Sequence, residues 1–432
     1  MKILHISTTD TGGAAKACIR LHEGLLNDGI DSKILFFNLT TSSIPQSYSF
    51  YQYYYQEENK KYHTTPIGIK AINKIKNKLG KDDKSRFYKL EVLRNDLLKN
   101  RISASSLFTF PESIYRVQEH PLYKEADIVH LHWVSNFLDY KTFFANNSKK
   151  LVWTLHDMNA FTGGCHYSDG CQKFQIDCNA CPQLSKSIAP DYTSEVLQLK
   201  QQFISGIEDI RIVSPSKWMK NVTEKSILFK RYTHLHIPNG ISSQVFMPRQ
   251  QEFSRELLNI PNERPVILFA ASSLDDARKG FDYLITALKR IPTKCTLCVV
   301  GGGHVDIPNL HHTVIRLNAI QDERLLSAVY SAADVFIIPS LEDNLPNTVI
   351  ESLMCGTPVV GFPIGGIVDM VQHKRTGLIS EEISVESLAD TIELALSLQF
   401  NRQEIRLEAI KMYDSPIQAN AYIQLYNSLL NN

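Results

Sequence analysis

The run VFIIP at 335–339 has no polar side. A strand that is apolar on both faces belongs inside a parallel sheet, because an antiparallel strand usually shows one face to water. Its neighbours in the chain narrow the choice. The run feeds a polar turn, SLEDNLP, then a helical stretch, then a second apolar run, PVVGF, and a Gly-Gly turn at Gly365 and Gly366. Strand, helix and strand joined by short turns predict an α/β fold.

The turn carries chemistry. Asn344 is the expected N-cap and Pro346 the expected first helical residue, since proline fixes a helical φ and needs no amide partner there. A helix that starts at the carboxyl end of a parallel strand favours an anion there, and open α/β sheets bind ligands at that edge. Asp343 and Glu351 lie eight positions apart across the turn and helix. Carboxylates accept hydrogen bonds from paired hydroxyls, so the pattern suits a sugar diol beside a phosphate. Read alone, it also fits a solvent-facing acidic turn. Upstream, an apolar strand at 267–270 precedes Arg278 and Lys279. Two cations at that strand's end can neutralise a diphosphate; a solvated charge pair is the plainer reading. The turn CVVGGGH at 298–304 lacks the G-x-G-x-x-G spacing with a following acid, which disfavours a nicotinamide oxidoreductase.

The chain opens with a second βαβ pattern: a strand at 2–7, a glycine turn with Gly12 and Gly13, a helix at 15–28 and a strand at 32–38. Further strands are expected at 127–133, 151–158 and 211–214. The first of these ends near His132, the second at His156 and Asp157. At 432 residues two domains are expected. Their limits are placed at 1–240 and 265–400, with a linker at 241–264 and a helical tail at 401–432.

Hydrophobic residues make up 43% and charged residues 21%, with a formal net charge of +1, so nothing global argues for nucleic acid. No apolar run is long enough to span a bilayer, and MKILHIS is too short and polar for a signal peptide. A cytoplasmic location is expected. One segment departs from neutrality. Residues 60–101 hold thirteen Lys and Arg against four Asp and Glu. Ile72, Ile75 and Leu79 fall on one helical face among Lys70, Lys74, Lys76 and Lys78, which suits peripheral attachment to an anionic membrane or a solvated helix packed on the domain.

Eight cysteines occur, four of them in GGCHYSDGCQKFQIDCNACP: Cys165, Cys171, Cys178 and Cys181. In a reducing compartment disulfides are not expected, and four thiolates within seventeen residues can close a tetrahedral zinc site. A structural zinc is therefore expected, with an iron–sulfur cluster, disulfides and free thiols as alternatives. His166 is a substitute ligand. Cys295 and Cys298 share a strand and point to opposite faces, as core residues do.

The run from 267 to 377 resembles the family-4 retaining glycosyltransferases of the GT-B fold, whose signature is E-x7-E followed by a Gly-Gly loop; here it reads D-x7-E. The resemblance implies two Rossmann-like domains facing a cleft, with a C-terminal helix crossing back. The first would bind a saccharide acceptor and the second a nucleoside-diphosphate sugar. It assigns the ribose hydroxyls to Glu351 and the donor sugar to Asp343, with Glu342 beside it as the other candidate. The diphosphate falls to Arg278, Lys279 and the helix at Asn344, although Ser273 stands where many members carry a further arginine. Gly12, Gly13, Gly365 and Gly366 would let backbone approach the donor, and residues 317–320 would meet the base, with Asn318 where members often have glycine. His156 would lie near the transferred sugar. The implied reaction is hexosyl transfer with retention and no catalytic metal, to a lipid-linked saccharide in surface polysaccharide assembly. An epimerase of the same shape and a non-catalytic partner subunit are the rivals.

Overall fold

The computed structural model describes residues 1–64, 92, 94, 95, 98–102, 107–185 and 192–431. Most of the basic segment, including Lys70, Lys74, Lys76 and Lys78, lies outside the described residues.

The chain divides into two compact units. The first comprises Met1–Ser214, Lys220–Leu235 and Leu425–Asn432; the second comprises Pro215–Met219 and His236–Gln424. The helix Ser415–Leu430 thus leaves the second unit and ends in the first.

The first unit is built on β1 (Lys2–Thr9), β2 (Asp31–Asn38), β3 (Ser47–Ser49), β4 (Ile128–Leu131), β5 (Lys150–Thr154), β6 (Ile210–Ser214) and β7 (Thr233–His236), in the order β3-β2-β1-β4-β5-β6-β7. Its ladders β1–β2, β1–β4, β4–β5 and β5–β6 are parallel. The central strands are apolar on both faces, as Ile3, Ile6, Val129, Leu131, Val152 and Ile212 are all buried. Chain order reverses between β1 and β4, which makes their carboxyl ends the switch point where such sheets take ligands. Residues 40–60 show no clear period in sequence. They form β3 and the helix Phe50–Thr64, pinned by an aromatic cluster in which Phe50 meets Tyr115 and Phe137. Aromatic packing supplied what periodicity did not announce.

The second unit holds β8 (Val266–Ser273), β9 (Thr296–Gly302), β10 (Thr313–Arg316), β11 (Val335–Ile338), β12 (Val359–Gly361) and β13 (Gly377–Ile379), in the order β10-β9-β8-β11-β12-β13. Its ladders are parallel too. The reversal falls between β8 and β11. The segment 241–264, expected as a linker, places Ile241, Phe246, Leu258 and Ile260 in this unit's core. Among the described residues, no helix is long and apolar enough to cross a membrane.

Candidate active site

At the second unit's switch point three segments interlock. After β8 a 3-10 turn, Ala277–Lys279, is capped by the Asp276 side chain, which accepts from the Arg278 amide. Gly280 closes it at φ 70°, where a Cβ would sit 1.8 Å from the Pro339 carbonyl oxygen. After β11 comes the loop 339–346. The third segment is the Gly-Gly turn: the Gly366 amide donates to the Asp343 carbonyl at 3.1 Å, and a Cβ on Gly366 would lie 1.7 Å from the Asn344 carbonyl oxygen. The loop that carries Asp343 is therefore clamped by glycine backbone on two sides.

This clamp brings charge together. Lys279 Nζ donates to Asp343 Oδ2 at 2.5 Å, and Arg278 stands 3.6 Å from the same oxygen. Arg278 also donates to the Glu342 carbonyl at 2.7 Å and to Asp276 at 3.0 Å. Burial would raise the Asp343 pKa, but Lys279 and Arg278 more than reverse this and hold the carboxyl below its usual range. Asp343 is buried while Glu342 is more open. Paired with Asp343, the Lys279 ammonium is held in place before any anion arrives.

The helix after the loop runs Asn347–Met354, with Pro346 in extended conformation at the N-cap. The expected cap at Asn344 is thus corrected. That side chain is buried and accepts from Ser216 Oγ at 2.6 Å, and Pro346, expected as the first helical residue, is instead the extended N-cap before Asn347. Val349, Ile350, Leu353 and Met354 are buried, each contributing about 1.5–3 kcal/mol, so helix phase holds Glu351 against the core. Glu351 is 4% exposed and accepts from Tyr330 hydroxyl at 3.0 Å. Tyr330 comes from the helix Glu323–Ala332, started by an Asp322 cap. Sequence reasoning missed both Tyr330, on the helix Glu323–Ala332, and Ser216, the residue just before the helix Lys217–Thr223. Asn318 has φ 52°, the left-handed region that favours glycine, and its carbonyl accepts from the Gly301 amide.

The first unit's switch point is of another kind. Gly12 takes φ 90° and caps the helix Gly13–Asn27; nothing lies within 4 Å of where a Cβ on Gly13 would stand. Beside it runs a file of histidines. His5 Nδ1 lies 3.0 Å from His132 Nε2, and His132 Nδ1 lies 3.0 Å from His156 Nε2. His130 joins Tyr426 hydroxyl and Thr154. Burial, with histidine neighbours adding, holds His5, His130 and His132 neutral well below the usual imidazole range. Burial brings His156 down to about 4. Neutral rings in a file can be protonated in only two coherent ways. His5 Nε2 is buried without a hydrogen-bond partner, and a buried orphan acceptor is tolerated better than an orphan donor. The protons therefore sit on Nδ1 of each ring, and His156 carries an Nδ1–H donor.

Asp157 anchors the cysteine loop to this edge. It accepts from Trp133 Nε1 at 2.7 Å and pairs with His166 Nδ1 at 2.6 Å. His166 Nε2 meets Thr109 Oγ1 at 2.8 Å, so both ring nitrogens are occupied and His166 is no substitute for a sulfur. Cys165, Cys171, Cys178 and Cys181 line one cavity and none is in a disulfide. Cys295 and Cys298 are buried core residues.

Comparison with known proteins agrees with this geometry. Residues 264–397, which hold the whole Arg278–Asp343–Glu351 arrangement, match the family model described as glycosyl transferases group 1. D-inositol 3-phosphate glycosyltransferase of Mycobacteroides abscessus is 30% identical over 35% of this chain and 37% of its own length. An N,N'-diacetylbacillosaminyl-diphospho-undecaprenol alpha-1,3-N-acetylgalactosaminyltransferase of Campylobacter jejuni is 24% identical over 45% of this chain and 54% of its own. The chain thus spans about a third to a half of these relatives. Sucrose-phosphate synthase from Thermosynechococcus elongatus superposes with TM-score 0.64 at 18% identity, covering 100% of this chain and 99% of that one. The fold is GT-B, and residues 264–397 are the part of the chain that is similar to the group 1 glycosyl transferases.

Proposed function

We propose that this protein is a retaining glycosyltransferase that moves a hexose from a nucleoside-diphosphate sugar to a saccharide acceptor. The observation that carries this reading is the Lys279–Asp343 pair at the switch point of the matched segment, whose following helix carries the buried Glu351. Glu351 takes the ribose diol, and Asp343 takes a sugar hydroxyl. Arg278, Lys279 and the helix start after Asn344 hold the diphosphate, with Gly365 and Gly366 keeping that loop in place. In the first unit, Gly12 and Gly13 leave room for close backbone approach, and His156 stands near the transferred sugar.

The transfer balances without a protein nucleophile. An acceptor hydroxyl oxygen bonds to the anomeric carbon from the face the leaving group vacates. The bond to the diphosphate oxygen breaks, its electron pair going to the diphosphate, which takes the acceptor proton. Arg278 and Lys279 stabilise the charge that develops there.

The acceptor we propose is a lipid-linked saccharide in surface polysaccharide assembly. The Campylobacter relative is named for a diphospho-undecaprenol acceptor, and the basic segment 60–101 suits an anionic membrane surface, at roughly 1 kcal/mol per nearby Lys or Arg. The test is a panel of nucleotide sugars with and without undecaprenol-diphosphate saccharides. Product with the anomeric configuration retained supports the reading. Donor turnover that ignores every acceptor would replace transfer with epimerisation or hydrolysis. Activity unchanged when Lys70, Lys74, Lys76 and Lys78 become Gln, with equal partitioning to neutral and anionic vesicles, would remove the membrane part.

A further inference from the structure

The cysteine loop takes no part in the proposed reaction, yet it is built around a definite centre. All four thiols of Cys165, Cys171, Cys178 and Cys181 face one cavity of about 20 Å³, walled by Phe108 and Phe174. That is room for one ion-sized occupant. We propose that these four cysteines hold a single structural zinc ion.

Three observations converge on it. The first is backbone cost. Between β5 and the helix Tyr192–Ile204 the described chain makes only two 3-10 turns, Asn159–Phe161 and Lys173–Gln175. Even so, Cys178 and Ala180 are held at φ 55° and 47°. Non-glycine residues in that region cost on the order of 1 kcal/mol each and persist where something over-determines them. A metal gripping Cys178 and Cys181 does so.

The second is the aim of an amide. The Gly163 amide donates to Cys178 Sγ at 3.2 Å. A backbone amide aimed at a cysteine sulfur is the outer contact that supports a metal-bound sulfur.

The third is charge. Lys200 is fully buried, and its ammonium donates to the carbonyls of Asn159 and Thr162, both neutral. A buried cation needs negative charge nearby. Asp157 supplies some, and Cys165 and Cys178 also lie within its electrostatic reach. Four thiols that release four protons to solvent and form four Zn–S bonds leave a unit of charge −2, which Lys200 partly offsets. Zinc suits the set because it takes four sulfurs tetrahedrally and is redox-inert. Among the described residues no three of these sulfurs lie within 4.8 Å of one another. Zn–S bonds of about 2.3 Å put sulfurs roughly 3.8 Å apart, so binding draws the loop inward.

The test uses the full chain purified under reductant with no added metal. Elemental analysis is expected to give one zinc per chain. The four loop thiols should resist alkylation in native protein until a mercurial displaces the metal, releasing one zinc per four thiols titrated, while Cys18, Cys295, Cys298 and Cys355 stay silent in the core. X-ray absorption should show four sulfurs at about 2.3 Å. Cys181→Ser should lose most of the zinc; because that variant can misfold, the wild-type stoichiometry and absorption stand independently of it. Four freely reactive loop thiols in native protein without metal would overturn the proposal. So would a mass deficit of two or four daltons from disulfides, or iron with visible absorbance.

Discussion

At the switch point of the first sheet, between β1 and β4, the facing side chains are neutral imidazoles; at that of the second, between β8 and β11, they are a lysine, an arginine and a carboxylate. Topology gives both sheets a ligand edge, but the chemistry set there differs. Under the proposed function the ion pair serves the charged diphosphate and the imidazole file an uncharged hydroxyl, a division of labour between holding a leaving group and orienting a sugar.

The harshest way to break the contrast is to remove the charged side. Lys279→Ala and Glu351→Gln should each lower kcat/KM on the order of 10²-fold or more, because each removes a contact aligned on the donor. Glu351→Gln keeps an acceptor for the Tyr330 hydroxyl, so its melting temperature should stay close to wild type. Wild-type turnover in either purified variant sinks the site assignment. Asp343→Asn sharpens the point. It frees Lys279 from its partner, so nucleoside diphosphate should bind more tightly as product inhibitor while turnover falls.

Glycines separate the two edges next. Gly366→Ala drives a Cβ into the Asn344 carbonyl, so it should destabilise the second unit by about 3 kcal/mol, at the upper end for overpacking. Gly13→Ala meets nothing within 4 Å and should leave stability unchanged. If ligand backbone approach is the reason for Gly13, KM for one substrate rises nonetheless. Denaturant unfolding and steady-state kinetics on the pair decide it. Equal destabilisation by both substitutions would erase the distinction.

The sequence made the strands and the charged motif legible, because strands buried on both faces and a βαβ rhythm write themselves as apolar runs. VFIIP predicted β11 to the residue at Val335–Ile338. The D-x7-E motif and the Arg278-Lys279-Gly280 step supplied Asp343, Arg278 and Lys279, which the structure brings together. What did not show was long-range pairing. Tyr330 holds Glu351 from 21 positions away and Ser216 holds Asn344 from 128, and neither residue type advertises such a role. The histidine file was hidden for the same reason. His5, His132 and His156 become neighbours only when three parallel strands align their register.

That file gives a milder prediction. His132→Leu removes the ring that orients His156 and should lower kcat on the order of tenfold. His132→Asn retains an amide donor near the Nδ1 position and should recover part of it. The readout that separates orientation from packing is the pH profile. With the partner gone, His156 loses its fixed tautomer and the acid limb of the rate profile moves. Equal losses in both variants with an unmoved profile would reduce His132 to a packing residue.

The smallest effect sets the units apart by pH. In the first unit His5, His130, His132 and His156 are bases whose folded pKa values lie below the unfolded value of about 6.5. Between those values the unfolded chain binds more protons, so their contribution is whole above pH 6.5 and is lost as pH falls through the folded values. For His156, with burial bringing it to about 4, the loss at pH 5 is about 1 to 2 kcal/mol. In the second unit the Asp343 carboxyl is depressed, so its contribution stays whole down to about 3.9 and fades only below. His312 is that unit's lowered histidine. Hydrogen exchange followed peptide by peptide from pH 7.5 to 5, corrected for intrinsic rates, should therefore show protection falling first across β1, β4 and β5 while β8 and β11 hold. Loss in the reverse order would mean that the imidazoles are not neutral passengers of the fold, and the tautomer argument for His156 would fall with them.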